Sequence, residues 1–107
     1  MSQETEFLVV FCTASPNEAD ALARVLVEEG LAACVNVVPV RSCYIWEGKV
    51  NMDGEALLII KTTRCGFEPL KKRIREMHSY SVPEIIAVPV VEGHQAYLDW
   101  LAQSVSV

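Results

Sequence analysis

Cysteine and histidine are the residues of this chain whose side chains could bind a soft metal ion or act as a nucleophile and its base. The 107 residues include four cysteines and two histidines: Cys12, Cys34, Cys43, Cys65, His78 and His94. No two cysteines form a CxxC pair, and each lies in or beside an apolar, strand-like run. This pattern favours buried thiols in a reducing compartment over a disulfide framework or a tetrahedral zinc site.

Motifs for enzymatic chemistry are missing from the sequence. It contains no GxSxG, no P-loop, no GxGxxG and no HExxH, and no pair of carboxylates is placed by spacing alone for acid–base work. The sequence therefore predicts a protein that is not an enzyme.

Composition and charge restrict the class of protein further. The chain is 51% hydrophobic and 21% charged, and its 107 residues are the length of one domain, so we expect a single folded domain over residues 1–107. Its formal net charge is −5. An acidic chain is not expected to bind nucleic acid or an anionic membrane. The start lacks signal-peptide features and the apolar runs are too short to cross a bilayer, so we expect a soluble, cytoplasmic protein. The one basic cluster, residues 71–75, is either a solvated helix face or an anion or partner site.

Hydrophobic periodicity predicts the order β-α-β-β-α-β followed by a short helix. The run FLVVFC does not alternate, which predicts a central strand buried on both faces. Ser15, Pro16 and Glu18 form a capping-box start for a helix that ends at Gly30. A second helix covers residues 67–79, a fourth strand 84–91 and a final helix 95–104. This order predicts an α+β, ferredoxin-like βαββαβ sandwich.

The second and third strands form a ribbon with two possible turns, at Glu47 and Gly48 or at Asp53 and Gly54. Because Asp-Gly is the stronger hairpin signal, we expect the turn at Asp53 and Gly54. That register pairs Trp46 with Lys61 and Tyr44 with Thr63 across the hairpin.

A ribbon of this length reaches the edge of so small a domain. It carries the apolar residues Tyr44, Ile45 and Trp46, which would favour aggregation if they were left unpaired. The favoured arrangement is a closed homo-oligomer in which ribbons pair between subunits; the alternative is a ribbon folded over its own core.

Six segments together resemble the CutA family of divalent-cation tolerance proteins. They run in order from about residue 7 to residue 102 and read FCTA, LAACVN, YIWEGK, IKTT, PEII and YLDWL. The resemblance implies a ferredoxin-like subunit, a homotrimer built through the long ribbons and a role in tolerance of divalent metal ions, copper above all. It also implies a structural likeness to the trimeric PII signalling proteins.

The same resemblance implies copper ligands at Cys12 and His78, with Met77 in place of the family's first histidine. Thiolate and thioether ligands suit Cu(I), and imidazole suits both copper states. We expect the second helix to run antiparallel to the first strand, which places Cys12 and His78 at opposite ends of the sheet. They would then share an ion only across a subunit interface, or form separate weak sites. The alternatives are a buried core thiol at Cys12, a cap for the helix dipole at His78 and a core position for Met77. His94, after Gly93, is predicted to be a surface turn residue.

A second function for such a trimer is PII-like signalling, with small-molecule clefts between the subunits. The candidate residues combine aromatic walls with a few charges: Tyr44, Trp46, Glu47, Lys61 and Glu84. These residues could instead serve only to hold the trimer together.

Overall fold

The computed structural model describes residues 6–106 and has the predicted order of elements. These are β1 (Phe7–Ala14), α1 (Pro16–Glu28), β2 (Cys34–Trp46), β3 (Lys49–Thr63), α2 (Phe67–Met77), β4 (Ile86–Pro89) and α3 (Gln95–Ser104). The strands form one antiparallel sheet in the order β2-β3-β1-β4, so the ferredoxin-like prediction is confirmed. Residues 1–5, which belong to the stretch interpreted as lacking a signal peptide, lie outside the described part. No helix within residues 6–106 is long and apolar enough to cross a membrane.

Helix α1 begins and ends where its sequence predicts. The Ser15 side chain accepts a hydrogen bond from the Asn17 N–H at 3.4 Å, and Pro16 occupies the first turn. Gly30 has a φ of +72°, and the Leu31 N–H donates to the Leu26 carbonyl at 2.9 Å. The predicted apolar face of the helix is buried at Ala19, Leu22 and Leu26.

The core lies on one face of the sheet, between the strands and helices α1 and α2. Strand β1 is central, as predicted, and buries alternate side chains in this core: Leu8, Val10, Cys12 and Ala14. The intervening side chains are half-buried, so the prediction that both faces of β1 are buried is wrong for this chain. Its unbroken apolar sequence instead leaves an apolar, half-open second face.

The hairpin turn lies at Glu47 and Gly48, and the prediction of a turn at Asp53 and Gly54 is wrong. Trp46 pairs with Lys49, while Asp53 and Gly54 lie inside β3. Both turn residues have positive φ, 51° and 77°, which is the geometry of a type I′ hairpin.

The register of the apolar part of the ribbon explains this turn position. Val35 pairs with Ile60 and Val37 with Leu58, so the apolar halves of the two strands face each other above the core. A turn six residues later would instead place Leu58 opposite Lys49 and Ile60 opposite Glu47. Burial of one face fixes the register more strongly than the turn residues do. The pairings predicted for Trp46 with Lys61 and for Tyr44 with Thr63 are accordingly wrong.

The ribbon is longer than the sequence predicted, because β3 begins at Lys49. It contributes to a longest dimension of 45 Å in a chain whose other dimensions are 30 and 22 Å. Near its tip, Ile45 and Val50 pair with each other and are each 73% exposed. The ribbon therefore projects its apolar end away from its own core and does not fold over it.

Candidate functional site

Cys12 and His78 meet at one backbone oxygen at the end of β1. The Cys12 Sγ lies 3.6 Å from the Thr13 carbonyl oxygen, and the His78 Nε2 lies 2.8 Å from the same atom. The prediction that the two residues lie at opposite ends of the sheet is therefore wrong. Helix α2 reverses direction after β3, which is itself antiparallel to β1, so α2 runs in the same sense as β1 and both end at the same edge.

Both ring nitrogens of His78 are hydrogen-bonded within the fold. Nε2 donates to the Thr13 carbonyl, and Nδ1 accepts from the Tyr80 N–H at 3.1 Å. The Glu18 Oε1 lies 3.5 Å from Nδ1, and the imidazole packs 4.6 Å from the Tyr80 ring. These bonds specify the neutral tautomer with its proton on Nε2.

Glu18 does not reach back to cap α1 as the sequence predicted. Its carboxylate instead accepts from the Ser79 hydroxyl at 3.0 Å and the Ser79 N–H at 3.4 Å. The start of α1 is thereby joined to the end of α2, beside the imidazole of His78.

The Cys12 thiol is fully buried and neutral. Its pKa is raised from 9.0 to about 12, first by desolvation on burial and then by the negative charges of Glu84, Glu18 and Glu55. Because the thiolate is the reactive form of cysteine, this thiol is not an activated nucleophile. The prediction of a core thiol at Cys12 is confirmed, and Met77 likewise packs against the core.

A buried carboxylate that the sequence analysis missed lies at the base of the ribbon. Glu55 is 8% exposed and accepts a hydrogen bond from the Tyr80 hydroxyl at 2.7 Å. Burial first, and then the hydrogen bond and charge of Glu55, raise the pKa of Tyr80. The sequence did contain a signal for this contact, because Glu55 directly precedes the apolar run of residues 56–60 in β3. A carboxylate at that position is expected to be buried and therefore to need a hydrogen-bond donor.

Glu55 and Tyr80 border an open cleft of about 620 Å³ below the ribbon. The cleft is lined by Thr13, Ser42, Cys43, Tyr44, Trp46, Glu55, Tyr80, Ser81, Val82 and Glu84. Three of the predicted ligand residues, Tyr44, Trp46 and Glu84, therefore lie in one cleft. The other two do not line it, since Glu47 is in the turn and the Lys61 ammonium donates to the Asn36 side chain.

Metal-binding side chains are sparse around Cys12. Within the described residues, 6–106, no three His, Cys, Asp or Glu side chains are grouped so that they could hold a metal ion. A metal ion held by Cys12 and His78 would therefore have two side-chain ligands. His94 immediately precedes α3, consistent with a turn position outside this site.

The chain has a four-stranded antiparallel sheet with two helices on one face, and a long ribbon that projects above a cleft. This architecture is that of a ferredoxin-like α+β protein with an extended β-hairpin. The sequence profile of the family described as CutA1 divalent ion tolerance protein matches residues 7–104. The chain therefore belongs to the CutA1 family, as its six sequence segments predicted.

Individual relatives agree with this assignment. The divalent-cation tolerance protein CutA of Thermus thermophilus is 48% identical over 100 residues, covering 92% of this chain and 97% of the relative. The chloroplastic CutA protein of Arabidopsis thaliana is 48% identical over 105 residues; the match covers 96% of this chain and 58% of that longer protein.

Solved structures show the same fold. The T. thermophilus protein superimposes with a TM-score of 0.90, covering 94% of this chain and 99% of that one. A structure described as the PII-like protein CutA of Nostoc sp. PCC 7120 in apo form is 35% identical, with a TM-score of 0.90 over 92% of this chain and 97% of that one.

Proposed function

We propose that this chain acts in tolerance of divalent metal ions, copper above all, as a homotrimer in the cytoplasm. Membership of the CutA1 family supports the tolerance role. The observation that favours direct copper binding is the convergence of the Cys12 thiol and the His78 imidazole on the Thr13 carbonyl.

The donor set suits Cu(I). One thiolate and one imidazole are soft and borderline ligands, whereas structural zinc takes four protein ligands. Binding through Nε2 requires the imidazole proton to move to Nδ1, which breaks the hydrogen bonds to the Thr13 carbonyl and from the Tyr80 N–H. Glu18, 3.5 Å from Nδ1, is the carboxylate that can then accept a hydrogen bond from it. The Cys12 thiol also has to lose its proton, so copper competes with protons at this site.

Competition with a chromogenic Cu(I) chelator under reducing conditions tests direct binding. We expect the wild-type protein to take copper from the chelator, and Cys12→Ala and His78→Gln each to weaken binding by at least about tenfold. Cys65→Ala is the matched control, because Cys65 is an exposed thiol between β3 and α2. If the wild type takes up no copper, or if Cys65→Ala weakens binding as much as Cys12→Ala, direct binding through this pair is wrong.

The homotrimer is supported by the unpaired edge of the ribbon. Strand β2 is an outer strand of the sheet and 13 residues long. Long exposed edges promote pairing with another chain, and a closed ring removes them. One face of the ribbon tip is apolar, with Cys43 opposite Met52 and Ile45 opposite Val50. The subunit number of three is supported by the resemblance to the CutA family, which implies a homotrimer.

A second candidate function is PII-like binding of a small molecule in the cleft below the ribbon. The cleft volume of about 620 Å³ and its mixture of aromatic and polar walls suit such a ligand. A thermal-shift screen against metabolites tests this function. A genuine ligand should stabilise the wild type and Trp100→Ala but not Trp46→Ala, since Trp46 lines the cleft and Trp100 lies on α3.

A further inference from the structure

The basic run on α2 separates into two cations with acidic partners and two without. Lys71 pairs with Glu68 at 3.0 Å, and Arg73 binds Glu29 through two nitrogens, at 2.9 and 3.1 Å. Arg73 also lies 3.5 Å from the Glu76 carboxylate. These side chains have the partners expected of a solvated helix face.

Lys72 and Arg75 differ from them. Neither makes an ion pair or a side-chain hydrogen bond within residues 6–106. They are three residues apart on α2, hence on the same side of the helix, where two cations repel each other. Both line a second cleft of about 420 Å³, together with Glu76, Tyr80, Ser81 and Pro83.

We propose that this second cleft binds the anionic group of a small ligand, a phosphate or a carboxylate. The planar guanidinium of Arg75 matches either group with two parallel hydrogen bonds, and the Lys72 ammonium adds a point charge. Ser81, whose side chain is a hydroxyl, lines the same cleft. Glu76 also lines this cleft, and its carboxylate lies 3.5 Å from the Arg73 guanidinium, which offsets part of its repulsion of an anion.

The anion cleft adjoins the cleft below the ribbon. Tyr80 and Ser81 line both, so the two clefts share a wall. Glu55 and Glu84 make the first cleft acidic, whereas Lys72 and Arg75 make the second basic. A ligand that spans both therefore carries its negative group at the second. This extension rests on the ligand-binding candidate above, while the anion site itself rests on Lys72 and Arg75 alone.

Titration of the copper-free, full-length protein tests the site. Inorganic phosphate, glycerol phosphate and succinate are added separately at constant ionic strength, while amide NMR signals and calorimetry are followed. We expect saturable shifts centred on Ser81 and the last turn of α2. The double variant Lys72→Gln with Arg75→Gln should weaken binding by about tenfold or more, because it removes the charge-assisted hydrogen bonds to the anion.

Lys71→Gln is the matched control, since Lys71 is on the same helix but pairs with Glu68 and does not line the cleft. The affinity of Lys71→Gln for the anion should stay within about threefold of the wild-type value, because exposed ion pairs contribute little to stability. Saturation by phosphate and its ester identifies a phosphate site, and saturation by succinate a carboxylate site. If no anion saturates the shifts, or if Lys71→Gln weakens binding as much as the double variant, the proposal is wrong. Copper is absent throughout, so the outcome does not depend on the metal-binding proposal.

Discussion

The His78 Nε2 donates a hydrogen bond to the Thr13 carbonyl oxygen over 2.8 Å and joins the end of α2 to the end of β1. The imidazole is fully buried, and its second nitrogen fixes the backbone of Tyr80. Tyr80 in turn reaches Glu55 at the base of the ribbon. The candidate metal pair and the ligand cleft are thus parts of one hydrogen-bonded structure.

Removing the Tyr80 hydroxyl should destabilise the fold. In Tyr80→Phe the Glu55 carboxylate, 8% exposed, loses the one hydrogen-bond donor it has among residues 6–106. An unsatisfied buried group costs about 1–3 kcal/mol, which urea unfolding can measure. Tyr97→Phe is the control, because that hydroxyl makes no hydrogen bond within the described chain and should change stability little. Equal stability of the two variants would show that Glu55 does not depend on Tyr80.

The two glycines of the ribbon should respond to alanine with opposite signs. Gly48 has a φ of +77°, so Gly48→Ala should lower the free energy of unfolding by about 1–2 kcal/mol. Gly54 lies inside β3 with open space around its missing Cβ, so Gly54→Ala should raise the free energy of unfolding by about 0.5 kcal/mol. Chemical denaturation of both variants measures the difference. If Gly54→Ala lowered the free energy of unfolding and Gly48→Ala raised it, the turn would lie at Asp53 and Gly54.

Burial of the Cys12 thiol should make stability fall in alkaline solution. Its pKa is raised in the folded state, so the folded chain keeps a proton that the unfolded chain releases above pH 9. The free energy of unfolding should be unaffected below pH 9 and fall by up to about 1.4 kcal/mol per pH unit between pH 9 and 12.

The difference between the wild type and Cys12→Ala isolates this effect, because both retain the tyrosines whose pKa values are also raised. We expect a shallower alkaline decline for Cys12→Ala. Parallel stability curves above pH 9 would contradict the assignment of a neutral, buried thiol.

The ribbon tip should control assembly. Ile45→Lys places a charge on a side chain that is 73% exposed in the single chain, and it should shift the assembly toward smaller species in light scattering after gel filtration. Val27→Lys changes an exposed valine on α1 in the same way and should leave the assembly intact. Identical masses for both variants and the wild type would exclude the ribbon tip from the interface.

Local signals were sufficient to predict the order of elements and the boundaries of α1. The Ser15 cap, the apolar spacing of the helix and Gly30 all act within a few residues. The turn was not predictable from Asp53 and Gly54, because the register depends on which apolar residues of β2 and β3 face each other over the core. The apolar contacts along both strands therefore determine the turn position, and the Asp-Gly motif does not.

The site was less predictable than the fold. The resemblance to a known family indicated Cys12 and His78, but their proximity depends on the direction of α2 relative to β1. Glu55 and Tyr80 are 25 residues apart, and no periodicity marks the loop after α2. Their contact follows from the path of that loop across the end of the sheet, which local propensity does not determine.

Native mass spectrometry of the protein with and without Cu(I) tests the central claim most directly. We predict a trimer that binds up to three copper ions, one per chain, and a Cys12→Ala variant that remains trimeric but binds none. A monomer would contradict the proposed assembly, and a trimer that takes up no copper would contradict the proposed metal-binding role of Cys12 and His78.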